Sequence, residues 1–484
     1  MKKTLLSAAL LFSVSHATQA ESLADIYRQA LLNDPTYLSA EVEMKIGENG
    51  DFKAWANFLP KLNIDPSGNY NRSTDADLEQ TRDGVEQPIV PGSSRTFKNA
   101  SLGRLTFNLG INDWFQFKNN LMENDLAQAT FAKAQQELII RVTDKYFAVL
   151  EAHADLQAKQ KAEEYNRLQL DLAEERLKEG LNTITDTHTA RNNYYSAQIE
   201  SQQALLTFDQ AFEELTLLTG KAHHSLDGFG QDIPAPDPAP LDSDKWVSAA
   251  IENSYDLKIS KINRNRARNT SKADKYFYLP NVNATVNGST YSSSPSSSRI
   301  QQIPIQNPDG TITFIESETV TPSTRTIREG GNNVRIDLSI PLFGDNGLSW
   351  IDRKEKAQRE QIAQQNFVKS YRQTEFTVRS NFISLRNQKK RLELEEKRLN
   401  EAELAYEKTR IEYEHGTKNL IELTSQQQSL LNSQIARNNA QYNYIESLLR
   451  LKQEAGQLTP ADVLEIDSWL NNKGAINATQ RSTL

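Results

Sequence analysis

Apolar residues recur along this chain in two rhythms. Four short segments alternate with a period of two. They are Leu62 and Ile64 against Asn63 and Asp65; Leu105, Phe107, Leu109 and Ile111 against Arg104, Thr106 and Asn108; Val282, Ala284 and Val286 against Asn283, Thr285 and Asn287; and Val334, Ile336, Leu338 and Ile340 against Arg335, Asp337 and Ser339. Successive strand side chains point to opposite faces, so each segment predicts a strand with one apolar and one strongly polar face. Elsewhere the spacing is three, four or seven, as at Leu138, Val142, Tyr146 and Val149, and again at Leu431, Ile435, Tyr442, Ile445 and Leu449. That spacing predicts packing stripes of coiled-coil type on long helices.

The helices are long because nothing interrupts them. Neither proline nor glycine occurs between Asp113 and Glu179, or between Leu348 and His415. At 1.5 Å per residue each such helix is roughly 100 Å long. Gly180 and Gly416 then close them, since glycine tolerates the left-handed conformation of a helix end. Thr183 or Thr185, and Thr417, are the N-cap neighbours expected for return helices over 183–219 and 419–456. Leu59-Pro60 and Leu279-Pro280 stop an earlier helix in the same way, because proline disfavours the α region for the residue before it.

These landmarks occur in pairs, so the chain reads as a duplication. Residues 21–242 form the first repeat, ending in the extended linker Asp232-Ile233-Pro234-Ala235-Pro236-Asp237-Pro238-Ala239-Pro240; residues 243–457 form the second; residues 458–484 read as a polar tail. Each repeat is helix, Leu-Pro, strand, polar loop, strand, long helix, glycine, return helix. The first loop, 72–100, carries Asp75, Asp77, Glu79, Asp83 and Glu86. The second, 292–332, contains Asn307-Pro308-Asp309-Gly310 between 303–306 and 311–315, which predicts a small β-ribbon, with disorder as the alternative.

Residues 1–20 read as a cleavable secretory signal: Lys2 and Lys3, an apolar stretch from Leu5 to Val14, and Thr18-Gln19-Ala20 as the cleavage site. No later run of about 18 apolar residues follows, so no transmembrane helix is expected. The strand alternation alone fits either a half-buried sheet packed on a helix or a membrane barrel with a wet lumen. The signal turns the reading toward the barrel. So do aromatics near the strand ends: Tyr70, Phe97, Trp114, Tyr276, Phe277, Tyr278, Tyr291 and Phe343. Four strands cannot close a barrel, since bacterial barrels begin at about eight, so several chains must contribute.

Composition narrows the chemistry. With 484 residues and no cysteine, the chain has no disulfide framework, thiolate metal site or cysteine nucleophile. A net charge of −8 argues against nucleic acid as a partner. The histidines follow no metalloprotease spacing, no phosphate loop or nucleophile elbow occurs, and His223-His224 reads as a solvated helix end. No cofactor and no catalysis are expected. A periplasmic coiled-coil scaffold or surface adhesin without a pore would explain the helices and the signal. It would leave the alternating strands and the duplication unexplained.

The residues carry a family resemblance over about 22–457. Ala30-x-x-Asn33 and Ala250-x-x-Asn253 open the repeats. The tips read Glu179-Gly180-Leu181-Asn182-Thr183-Ile184-Thr185-Asp186 and Tyr413-Glu414-His415-Gly416-Thr417-Lys418-Asn419-Leu420-Ile421-Glu422. In these features the chain resembles the TolC family of outer membrane exit ducts. The resemblance implies a mostly α fold with a β-barrel: a homotrimer whose four strands per chain make a twelve-stranded outer-membrane barrel, continued by a twelve-helix periplasmic α-barrel. Its implied partners are outer membrane lipid, a periplasmic adaptor (membrane fusion) protein, and an inner-membrane pump or ABC transporter. Its implied function is the exit duct of a tripartite efflux pump or type I secretion system, gated at the periplasmic tips.

The resemblance also assigns residues. Asp186 would pair with Tyr413 and Lys418 across the two hairpins and hold the tunnel shut, with Glu422 and Ser425 at the inward ring. Arg176, Gly180, Leu181, Gly416 and Thr417 would contact the adaptor. Two departures stand out: Lys418 replaces the family's arginine and lacks its planar fork, and Ser425 replaces an acid.

Overall fold

The computed structural model describes residues 20–64, 67–74, 81–82, 85–86, 93–181, 183–229, 240–322, 327–340 and 348–477. The signal stretch before Ala20, the linker before Pro240, Asp75, Asp77, Glu79, Asp83, Asn182, Phe343 and the tail beyond 477 lie outside them, as do the side chains of Tyr70, Phe97 and Tyr291.

In chain order the elements are α1 (Leu23–Asn33), α2 (Pro35–Ala56), β1 (Lys61–Asn63), β2 (Ser67–Thr74), β3 (Thr81–Arg82), β4 (Val85–Glu86), β5 (Ser93–Leu109), α3 (Ile111–Lys178), α4 (Ile184–Thr219), β6 (Ser225–Phe229), α5 (Ser243–Asn253), α6 (Tyr255–Lys275), β7 (Asn281–Gln306), β8 (Ile312–Pro322), β9 (Ile327–Ser339), α7 (Leu348–Glu414), α8 (Leu420–Glu454), α9 (Pro460–Asp467) and β10 (Leu470–Asn477). Two long helical hairpins, α3–α4 and α7–α8, stand where the uninterrupted stretches and the two glycines put them. The chain divides into two compact units, residues 1–48, 124–264 and 362–484 in one and residues 49–123 and 265–361 in the other.

The first unit is helical and has two apolar centres. Leu138, Val142, Tyr146 and Val149 of α3 are fully buried among α1, α4 and α8, with Phe208, Phe212 and Leu215 of α4 and Tyr442, Ile445 and Leu449 of α8. Phe147 stacks on Tyr442 with ring centroids 5.2 Å apart. The second centre gathers Trp246 and Val247 of α5, Val378, Phe382 and Leu385 of α7, and Ala440, Tyr444, Leu448 and Leu451 of α8. Helix α8 therefore serves both, with different residues of its stripe. Burial of such side chains contributes about 1.5–3 kcal/mol each.

Short helices α1 and α5 are the duplicated openers, and each is capped from sequence. Ser22 and Asp25 form a capping box on α1, and Asp242 caps α5. The left-handed Gly456, φ +67°, lies so close to the end of α5 that an added Cβ would stand 2.3 Å from the Asn253 carbonyl oxygen.

The segment read as a polar tail is structured as far as 477. Val463 and Ile466 of α9 are buried, and β10 pairs antiparallel with β6. His223 is likewise not solvated. Its ring is buried, with Nδ1 2.5 Å from Glu21 Oε2 and Nε2 2.6 Å from Thr219 Oγ1. Burial pushes the Glu21 carboxyl up, but hydrogen bonds from His223 and Gln29 outweigh it and hold it below the ordinary value.

The second unit holds the main sheet, which is antiparallel. Strand β5 pairs on one side with β1 and β2 and on the other with β7, and β7 pairs onward with β9 and, farther along, with β8. The four expected strands are thus β1, β5, β7 and β9. One boundary differs: Ile111 opens α3 instead of ending β5. The chain turns at Gly110, whose carbonyl accepts the first helical bond from the Trp114 N–H, and Asp113 sits favourably in that first turn. The ribbon anticipated over 303–315 is formed, by the end of β7 and the start of β8.

The candidate channel wall and the helical tips

Register places like beside like across the sheet. Leu62 faces Leu105, which faces Val286, which faces Val334. Two residues on, Phe107, Ala284 and Ile336 form the next row, then Leu109, Val282 and Leu338. The rows between are polar: Asn63, Arg104, Asn287 and Asn333; Lys61, Thr106, Thr285 and Arg335; Asn108, Asn283 and Asp337. On that face Arg104 Nε donates to Asn287 Oδ1 at 3.2 Å.

Among the described residues the apolar face stays open. Leu62 is 65% exposed, Val334 66%, Ile336 71% and Leu338 65%. A sheet packed on its own helix would have buried these residues. Among the described residues both outer edges are also unpaired, since β1 and β2 pair only with β5 and β9 only with β7. An exposed apolar sheet with two open edges is unstable in water. It becomes stable when its edges are paired by further strands and its apolar face meets hydrocarbon.

Aromatic side chains collect where strands meet helices. Phe117 receives Trp55 and Phe58 edge-on, each at 5.2 Å, and Trp114 stacked at 5.7 Å. Tyr276 stacks on Phe115, and the Arg353 guanidinium lies 3.8 Å from the Phe277 ring centre. Rings with one apolar body and nearby cations suit a membrane interface.

The two tips are built alike. Gly180 and Gly416 both have φ +73°. The Leu181 N–H bonds back to the Arg176 carbonyl at 2.8 Å, and the Thr417 N–H to the Glu412 carbonyl at 2.9 Å. Each is the left-handed helix stop in which glycine carries no Cβ penalty. Each return helix then opens with a capping box, Thr183 with Asp186 and Asn419 with Glu422. Thr183 is thus one of the two caps expected. Thr417 is not a cap: its hydroxyl donates to the Glu412 carbonyl, and Asn419 takes the cap position.

The residues assigned to the gate are therefore engaged locally. Asp186 accepts from the Thr183 hydroxyl at 2.6 Å, and this bond with the Thr183 backbone holds its carboxyl below the usual range. Lys418 donates to Glu422 at 3.0 Å, which raises the lysine and lowers the glutamate. Among the described residues no hydrogen bond or ion pair joins Asp186 to Tyr413 or Lys418 within one chain. Tyr413 and Ser425 are exposed, as are Arg176, Gly180, Leu181, Gly416 and Thr417, so both tips present an open surface. The first hairpin is tied across by Arg191 and Glu174 at 2.6 Å. Thr183-x-x-Asp186 and Asn419-x-x-Glu422 are capping-box spacings, a signal that could have located these contacts in advance.

Among the described residues no group of three histidine, aspartate or glutamate side chains could hold a metal ion, and no helix is long and apolar enough to cross a membrane.

The chain is 24% identical over 475 residues to the outer membrane protein TolC of Vibrio cholerae, covering 97% of this chain and 99% of that one. It is 22% identical to the alkaline protease secretion protein AprF of Pseudomonas aeruginosa, over 95% of this chain and 89% of the relative. Its fold matches the crystal structure of the Campylobacter jejuni CmeC outer membrane channel with a TM-score of 0.66 at 15% identity, covering 93% of this chain and 90% of that one. The family model described as outer membrane efflux protein matches residues 26–221 and 246–457, one stretch in each repeat, and the chain belongs to that family.

Proposed function

We propose that this outer membrane channel works as a homotrimeric exit duct. Three four-stranded sheets join edge to edge into one twelve-stranded barrel, and three pairs of helical hairpins extend it into the periplasm. The observation that carries this is the wall of the sheet, β1, β5, β7 and β9, whose apolar face is exposed and whose two edges are open among the described residues. A scaffold or adhesin without a pore gives that face nothing to meet. The chain is a conduit with no catalytic step of its own. A cleavable leader over 1–20 directs export, and the repeats 21–242 and 243–457 each supply half of a protomer's wall and one hairpin.

The tips supply the control. Arg176, Gly180, Leu181, Gly416 and Thr417 are exposed and form the surface for a periplasmic adaptor, which links the duct to an inner-membrane pump or ABC transporter. Asp186, Tyr413 and Lys418 form the latch between hairpins of the assembled trimer, with Glu422 and Ser425 at the constriction. Asp186, Tyr413 and Lys418 are exposed in the single chain, so water screens each bond and a docking partner can overcome a few of them. The relatives' names cover protease secretion and an outer membrane channel, which suits either type I secretion or tripartite efflux.

The test is direct. Extracted in detergent, the chain should run as a trimer on unheated gels and as a monomer after boiling. A monomer soluble without detergent would end the proposal. Cross-linking from a reactive group placed at Leu181 should capture the adaptor in whole membranes.

A further inference from the structure

Strand β7 does not end with the wall. It continues without a break from Asn281, between β5 and β9, to Gln306, where its last residues pair with β8. The one register shift recorded between β5 and β7 falls between Ser101 and Gly103, on β5, so β7 keeps its alternation. Counting in twos from Asn283, Thr285 and Asn287 on the polar face leads to Ile303 and Ile305. Ile315, directly opposite Ile303, shares their face. The face that is Asn, Thr, Arg and Asp within the wall carries three isoleucines above it, while the opposite face there carries Ile312, 58% exposed, across from Gln306. Ile303, Ile305 and Ile315 are 48%, 44% and 53% exposed in the single chain. The ribbon end is firm: Gly310 sits at φ +82°, its N–H bonds to the Asn307 carbonyl at 3.0 Å, and the Thr311 N–H bonds to Asp309 at 3.0 Å.

We infer that the ribbons of neighbouring copies meet through Ile303, Ile305 and Ile315 and close the outer mouth of the duct with an apolar constriction. This rests on the trimeric duct proposed above. A face that lines a lumen looks across it at the same face of the other copies, so rotational symmetry brings like patches together. Lipid is the wrong occupant, because the lipid-side face carries the other parity. An aliphatic cluster above a wet polar wall leaves contiguous apolar area that needs cover. An apolar ring at a pore mouth excludes water and ions until it is parted. The duct then has an outer closure separate from the latch at the helical tips.

The chain has no cysteine, so a single one reports cleanly. Ile305→Cys trimers in detergent, mildly oxidised, should give covalent dimers on a boiled gel and lose conductance in planar bilayers until dithiothreitol is added. Gln306→Cys, one residue along on the other face, should stay uncross-linked. Ile303→Ser with Ile305→Ser and Ile315→Ser, added to Asp186→Ala so that the tip latch is open, should raise conductance above that of Asp186→Ala alone. Intact trimers in which Ile305→Cys fails to cross-link, or cross-links no better than Gln306→Cys, overturn the inference and leave the duct standing. A chain that forms no trimer overturns both.

Discussion

Asp186 and Glu422 hold the same place in the two halves of the chain. Each is the third residue of a return helix, and each carboxylate bonds back to its own N-cap, Thr183 or Asn419. The residue proposed for the gate in one hairpin and the residue proposed for the ring in the other are thus the same capping device used twice. To bond to a neighbouring hairpin, Asp186 must share or give up its cap, so latch and cap compete for the same carboxylate oxygens.

Two outcomes follow for the latch. Asp186→Ala should raise single-channel conductance and loosen the first tip, whereas Thr183→Ala should loosen the tip and leave the latch oxygens free. The carboxyl of Asp186 is held below its ordinary value. Its stabilising bonds are therefore present above the unfolded value of about 3.9 and lost as pH falls through the lower folded value. These are cap bonds to Thr183, so the pH dependence belongs to the first tip: amide exchange over 183–187 should speed up only in acid, as the Asp186 carboxylate is protonated.

The lipid-side face can be tested by charge. Ile336→Arg places a guanidinium among Ala284 and Phe107 and should cost about 2–4 kcal/mol if that row lies near the bilayer midplane. Asn283→Arg, on the polar face, should be tolerated. The temperature at which the trimer dissociates on gels, measured for both variants, separates a barrel from a water-exposed sheet.

Gly456→Ala should be among the most damaging substitutions in the helical unit. The new Cβ would stand 2.3 Å from the Asn253 carbonyl oxygen, at a φ of +67° that alanine avoids. A loss of more than about 1 kcal/mol is expected. Gly330→Ala, with open space around its Cβ, is the control. Thermal unfolding followed by circular dichroism distinguishes them.

Burial pushes the Glu446 carboxyl up to about 7, with like-charge repulsion from Asp144 adding to it and Arg450 opposing. A folded value above the unfolded one means that the contribution is present at low pH and lost as pH rises through about 7. Glu446→Gln should therefore raise the unfolding temperature at pH 8, by about 2 °C, and leave it close to the parent at pH 5.

Much of this architecture is legible in the sequence because its signals are redundant. Helices α3 and α7 are announced by uninterrupted stretches and closed by Gly180 and Gly416, and the strands repeat one alternation four times. Strand β2 escapes notice because Ser67 to Thr74 is almost wholly polar; its place comes from pairing with β5, a long-range fact. Helix α9 and strand β10 look like a polar tail because their apolar content is only a few residues, of which Val463 and Ile466 pack on the core beside α1. The solvated reading of His223 failed for a similar reason, since its partner Glu21 lies 202 residues away. At the tips the local bonds were legible as the spacings Thr183-x-x-Asp186 and Asn419-x-x-Glu422, whereas a bond between hairpins leaves no spacing in the sequence to read.

The open edges of the sheet have a genetic consequence. In the proposed trimer no chain owns a complete wall, so a subunit with a spoiled β9 edge does not fail alone: it fails inside every assembly that admits it. Such an allele, expressed beside an intact copy, should act dominantly and sensitise the cell to whatever the duct normally expels.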